Sequence, residues 1–182
     1  MPFHQPNSLR YYTFESLAEA GVDQAIFTRH GGVSPPPWQS LNLGGTVGDD
    51  PNRVTENRQR TFASFGTVAD SCYDVWQVHS TRIVCTDRPR PQGSLPVKAD
   101  AILTDQPEIT LFMRFADCVP ILIFDPVKRV VGLIHAGWVG TVNKIAEQAV
   151  RTLQARYRSR PADILAALGP SIGPDHYSIG TD

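Results

Sequence analysis

A succession of short apolar runs between residues 74 and 135, each too brief for a helix, most limits what this chain can fold into. DVWQVH (74–79), RIVCT (82–86), DAILT (100–104), EITLFMRF (108–115), VPILIFD (119–125) and RVVGLIH (129–135) are rich in Val, Ile and Leu. Several lack polar alternation, the pattern of strands covered on both faces. DILAALG (163–169) adds a last strand. Two stretches change period. Residues 49–66, DDPNRVTENRQRTFASFG, read as a helix with Asp49 or Asp50 as N-cap, Pro51 in the first turn and Gly66 as a stop. After Gly140, the positions Val142, Ile145, Ala146, Ala149, Val150 and Leu153 follow helical spacing. Grouped strands with few long helices predict a mixed-sheet α/β (α+β) fold rather than a regular βαβ series, and 182 residues suit a single domain.

Composition narrows the function classes. Seventeen basic against eighteen acidic residues give a net charge of -1, without the basic excess that binding a nucleic-acid polymer requires. No run approaches the length of a membrane span, and the N-terminal sequence lacks the charged and apolar regions of a secretory signal; a cytoplasmic protein is expected. Cys72, Cys85 and Cys118 form no CxxC pair, which argues against a disulfide framework and against a structural zinc finger.

The chemistry-bearing residues gather at the ends of the apolar runs. His79 ends one, Cys118 precedes another, and His135 ends a third. If the DPVKR turn closes a hairpin between 119–125 and 129–135, Cys118 and His135 lie at the same end of neighbouring strands. Two imidazoles and a thiolate are ligands zinc prefers, and a catalytic zinc takes three such groups and leaves a fourth position open; a buried Cys and satisfied core histidines are the structural alternative. In TRHGGVS (28–34), Arg29 and His30 precede Gly31 and Gly32, which can take positive φ and bring backbone N–H groups to an anion or sugar, or form an ordinary turn. GWVGT (137–141) leads into a helix whose start suits phosphate or a Thr141 cap. Trp138 either walls a pocket or packs the turn. GPSIGPDHY (169–177), with Gly180 nearby, reads as a structured turn.

In order along the chain, TRHGGVS, SLNLG with VGDDPNRVTENR, QVHS, KADAILT, ADCVPILIFD, GLIHAGW and GPSIGP resemble the polyphenol oxidase or laccase-domain (YfiH-like) family over about residues 22–180, a family regarded as zinc-dependent purine nucleoside phosphorylases. The resemblance implies a cysteine-hydrolase-like mixed fold. It also implies a zinc held by His79, Cys118 and His135, and phosphorolysis of adenosine, inosine, guanosine or methylthioadenosine with adenosine deamination beside it. Arg29, Gly31, Gly32, Asn42 and Gln77 match motif positions around nucleoside or phosphate, and Asp117 is the candidate proton carrier. A copper-dependent phenol oxidase fits poorly, since such an enzyme needs more copper centres than five histidines can supply.

Departures from the family pattern accompany the match. Val139 stands where Arg usually follows HAGW, Phe115 where a small or hydroxylated residue precedes ADC, and Asp175 and His176 where two cysteines are frequent. Relatives usually continue for a few dozen residues beyond Asp182, so the domain expected over 1–182 lacks the C-terminal part of the family. Two further readings follow: a cysteine hydrolase with Cys118 as nucleophile and His135 as base, and a diverged metal-binding protein without turnover.

Overall fold

The computed structural model describes residues 3–5 and 8–178; Gly180 lies outside them. It is a mixed α/β fold whose contacts divide it into two compact units. One comprises Met1–Tyr73, Pro89–Ser94 and Pro107–Thr110, the other Asp74–Arg88, Leu95–Gln106 and Leu111–Asp182.

The first unit opens with strands β1 (Phe3–His4) and β2 (Tyr11–Tyr12), helix α1 (Glu15–Glu19) and strand β3 (Ile26–Phe27), the strands forming an antiparallel sheet in the order β1-β2-β3. Tyr11, Phe27 and Phe65 pack ring against ring with centroids 5.0–6.1 Å apart. Helix α2 (Pro51–Ser64) begins as its sequence predicts: the Asp50 carboxylate accepts from the Asn52 N–H at 2.8 Å and Pro51 occupies the first position. Gly66, at φ 64°, lets the chain leave. From α2, the fully buried Asn57 reaches into the 33–42 loop. Its Oδ1 accepts from Val33 N, while Nδ2 donates to Ser34 Oγ, Ser40 O and Asn42 O. Asn57→Asp keeps the shape but turns that donor into an acceptor facing three oxygens. It is expected to cost about 3 kcal/mol or more, given the penalty for burying unpaired polar groups, read as a lowered urea midpoint.

The boundary between the units runs through β4 (Cys72–Asp74) and β7 (Thr110–Phe112). The second unit is built on β5 (Ile83–Cys85), β6 (Ala101–Thr104), β8 (Val119–Asp125), β9 (Val130–Ala136) and β10 (Leu165–Leu168), in the spatial order β10-β8-β9-β6-β5. All neighbours are antiparallel except β5 and β6. The expected hairpin is present: β8 and β9 pair from Val119↔Ala136 to Asp125↔Val130. Asp125 Oδ1 shapes the turn by accepting from Val127 N and Lys128 N at 2.9 Å.

After β9 come α3 (Trp138–Val142) and α4 (Ile145–Tyr157). Ile145, Ala149 and Leu153 of α4 cover Ala101, Leu103, Ile123, Val130, Ile134 and Ala136 of the sheet. Burial of each large aliphatic side chain there contributes about 2 kcal/mol. Because side chains alternate along a strand, the β9 face that shows Ile134 and Ala136 to α4 turns His135 the other way.

Two expectations are corrected. The single helix after Gly140 is two helices, broken at Lys144, which takes φ 60°. The first begins before Gly140, so Thr141 lies inside α3, its N–H bonded to Gly137 O at 2.8 Å, and caps nothing. Residues 74–79 are also not a strand beyond Asp74. Successive N–H groups of a strand point to opposite sides, but here those of Val78, His79 and Ser80 all converge on the Asp100 carboxylate. The chain curls around that charge, and His79 sits at φ 58°.

Candidate metal centre

The hairpin register sets the site. Pro120 pairs with His135 and Val119 with Ala136, so Cys118, one residue before β8, comes level with Gly137. The curled 78–80 segment brings His79 beside both. One donor atom from each of His79, Cys118 and His135 lies within 4.8 Å of the others, with Cys118 Sγ 4.0 Å from His79 Nδ1. Ligands around one tetrahedral zinc are about 3.5 Å apart, given bond lengths near 2.0–2.3 Å. The three donors therefore stand wider apart than ligands on one ion. Burial is graded: His135 is 5% exposed, Cys118 half-buried and His79 exposed, so one side of the cluster faces solvent. Phe115 packs against the His135 ring at 5.6 Å, and the two imidazoles meet edge to face at 4.9 Å.

Asp100, just before β6 and completely buried, is the polar anchor of this arrangement. Oδ1 accepts from Val78 N (3.2 Å), His79 N (3.0 Å) and His135 Nδ1 (2.9 Å). Oδ2 accepts from the N–H and hydroxyl of Ser80, both at 2.7 Å. Burial pushes the carboxyl up, but the Ser80 and His135 hydrogen bonds and the backbone N–H groups outweigh it and hold it below the usual carboxylate range. Burial lowers the His135 pKa despite the neighbouring carboxylate, so the ring is neutral. An ionised carboxylate can only accept, so Nδ1 carries the ring proton and the Nε2 lone pair is left for a metal. The Cys118 thiol is raised by burial, then by Asp117 and Asp100.

Gly137 completes the fit. A Cβ at this position would stand 2.6 Å from His79 Nδ1 and 3.1 Å from Cys118 Sγ, so the space among the donors exists only because residue 137 has no side chain. Nothing in the local sequence reveals this, because a glycine before a helix reads as a turn. Asp100 was also missed as a site residue; its signal is a carboxylate heading a strand whose other residues are all buried.

The remaining sequence candidates divide between the units. In the second, Asp117 is exposed beside Cys118, and its carbonyl accepts from Ile172 N at 3.0 Å, tying down the GPSIGP loop. Gln77 clamps the backbone of Arg114, donating to its carbonyl at 2.7 Å and accepting from its N–H at 3.1 Å. Trp138 is 63% exposed on α3, next to Val139, so its side chain does not pack the turn. Asp175 and His176 lie exposed in a short 3-10 turn. In the first unit, Arg29 Nε donates to Gln39 O at 2.6 Å, and Arg29, His30, Gln39 and Ser40 line a surface depression. Gly31, at φ 95°, passes so close to the Ser8 backbone that a side chain would collide with it, and Gly32 is packed likewise against Ser40. The Gly32 N–H is taken by Ser40 Oγ at 3.1 Å. The Asn42 side chain bonds Asp49 and both polar groups of Gly44. The glycine pair thus serves close packing of the chain on itself.

Residues 23–182 match the family model described as multi-copper polyphenol oxidoreductase laccase. Purine nucleoside phosphorylase YlmD of Bacillus subtilis is 39% identical over 158 residues, 84% of this chain and 57% of that protein. Purine nucleoside phosphorylase SCO2081 of Streptomyces coelicolor is 41% identical over 162 residues, 87% of this chain and 65% of that one. The crystal structure of Bacillus licheniformis hypothetical protein YfiH superposes with a TM-score of 0.87 at 37% identity, over 97% of this chain and 67% of that one. The chain thus spans about three fifths of the length of these curated relatives. By the family model, by identity along most of its length and by fold, it belongs to the polyphenol oxidase/laccase-domain (YfiH-like) family.

Proposed function

We propose that the protein is a zinc-dependent purine nucleoside phosphorylase, converting adenosine, inosine, guanosine or methylthioadenosine and phosphate to free base and the ribose 1-phosphate, with adenosine deamination as a second activity. The supporting observation is the convergence of one thiol and two imidazoles on one point that is open to solvent on one side, in a chain whose relatives are named purine nucleoside phosphorylases. His79, Cys118 and His135 would hold the ion. Bound zinc supplies Lewis-acid polarisation of an oxygen and a water acidified to a pKa of about 7.

The chain's own groups supply the rest. Asp117, exposed beside Cys118, is the proposed carrier of a proton to or from the base. The Arg29 guanidinium is the proposed partner of phosphate. Gly31, Gly32 and Asn42 act by fixing the loop that carries Arg29, and Gln77 by fixing the backbone of Arg114. Trp138 offers an exposed aromatic face for a purine.

A cysteine hydrolase with Cys118 as nucleophile and His135 as base has fewer supporting observations: the contact of Cys118 Sγ is with His79 Nδ1, and burial and two carboxylates push the thiol pKa up, away from the depressed value a nucleophile needs. A metal that prefers oxygen ligands does not suit the donor set, since thiolate and imidazole suit zinc or copper.

The test is metal analysis of the purified chain together with an assay for free base and ribose 1-phosphate. About one zinc per chain is expected, and chelation should abolish turnover until zinc is restored. Turnover that survives complete removal of metal would sink the proposal.

A further inference from the structure

We infer that Asp100 is the positioning residue of this centre, holding two of its three ligands at once: its carboxylate aims the His135 ring and anchors the backbone loop that carries His79. The inference rests on the metal reading given above. An ordinary supporting carboxylate orients one histidine through its second nitrogen. Asp100 does this at 2.9 Å and also collects the N–H groups of Val78, His79 and Ser80. Its own backbone carbonyl accepts from His135 N at 2.7 Å. His79 occupies the left-handed region at φ 58°, a conformation uncommon for non-glycine residues. The convergent N–H bonds hold it there.

Charge matters here, as well as shape. Every group facing Asp100 through its carboxylate is a donor: three backbone N–H groups, the Ser80 hydroxyl and His135 Nδ1. An asparagine must aim its NH₂ at one side of that set. With NH₂ at the Oδ1 position, it meets His135 Nδ1, which then accepts, so the ring proton moves to Nε2, and the His79 N–H loses its acceptor. Nε2 is the nitrogen left for the metal, and protonated it cannot ligate. With NH₂ at the Oδ2 position, it confronts the N–H and hydroxyl of Ser80, and the loop that carries His79 loses that half of its hold. Either way the support of a ligand is weakened.

The experiment compares wild type, Asp100→Asn and Asp100→Glu by zinc affinity in competition with a chromophoric chelator. Nitrogen-15 shifts of the His135 ring and hydrogen exchange at Val78–Ser80 are measured on the metal-free chains. Wild type should show His135 protonated at Nδ1 and slow exchange at the three amides. Asp100→Asn should bind zinc about 10–100-fold more weakly, the range for losing such a partner, with a changed ring tautomer or lost amide protection. Asp100→Glu should recover part of the affinity. In a His135→Ala background, Asp100→Asn should weaken zinc binding further, because the His79 arm is still affected.

The inference is overturned if wild-type His135 carries its proton on Nε2, a measurement that needs no variant to fold. It is equally overturned if folded Asp100→Asn binds zinc as wild type does, whatever its melting temperature. If the double variant binds as His135→Ala alone, the carboxylate acts on one ligand only and the two-ligand inference fails. Wild type that binds no zinc would instead remove the metal reading itself.

Discussion

Cys118→Ala is expected to lower zinc affinity by roughly two orders of magnitude and to remove the proposed phosphorolysis with it. A complete set of four structural ligands is worth about 10–16 kcal/mol, so one ligand of such a set carries about 3 kcal/mol, or somewhat more than a hundredfold. Cys118 is the one sulfur donor and the one anionic donor in the cluster. The sign of the pH dependence follows from its environment. Burial, Asp117 and Asp100 hold the thiol pKa above its usual value, so at neutral pH the metal-free residue is protonated and must release that proton on binding. His135, with its pKa lowered by burial, is already neutral and releases none. Zinc affinity in wild type should therefore rise about tenfold per pH unit near neutrality on account of Cys118, and that component should vanish in Cys118→Ala. Isothermal titration in two buffers of different ionisation enthalpy reads the proton count directly. If the variant retains wild-type affinity and proton release, Cys118 is not a ligand. If zinc affinity falls but activity survives, the metal plays no part in turnover.

What the sequence could disclose about this site follows the range of the interactions involved. The hairpin was legible because its determinants are local: two continuous apolar runs, and Asp125 to bind the turn N–H groups. Once that register is drawn, Cys118 and His135 must share an end. The start of α2 was legible for the same reason, its cap and proline lying within two residues of each other. His79 could be picked out by residue type, but its conformation could not. The apolar character of residues 74–79 favours a strand, and a carboxylate about twenty residues away overrules that preference by drawing three consecutive N–H groups to one side. Tertiary contacts override strand propensity readily. The break between α3 and α4 was hidden because Lys144, a residue without special tolerance for positive φ, supplies it. Asn57 was hidden as well: in the helix it reads as one more polar surface residue, although it is fully buried and organises the loop behind Arg29.

Gly137→Ala should empty the centre while leaving the fold intact, a separation that few substitutions at a metal site allow. The backbone at residue 137, φ −77° and ψ 174°, lies in a region any residue adopts, so alanine brings no conformational strain. As the residue before α3, alanine caps a helix less well than glycine, at a cost of about 1 kcal/mol or less. The methyl group, however, would stand 2.6 Å from His79 Nδ1 and 3.1 Å from Cys118 Sγ, inside van der Waals contact with both donors. His79 is the exposed and movable partner, so it yields by swinging outward and the three-donor arrangement opens. Zinc content is expected to fall below about a tenth of wild type, since a displaced ligand costs about what a deleted one does, with turnover falling in proportion. The melting temperature of the metal-free chain should change by no more than the few degrees that about 1 kcal/mol produces. Gly140→Ala is the control: its Cβ would meet Ser80 O at 3.3 Å, Ile145 Cγ2 at 3.5 Å and the His135 backbone O at 3.8 Å, none of them a donor atom of the centre, and alanine favours the helix. It should therefore keep its zinc. Equal zinc content in the two variants would show that the space beside Gly137 is not where the metal sits, and would shift the site away from the His79–Cys118 side of the cluster.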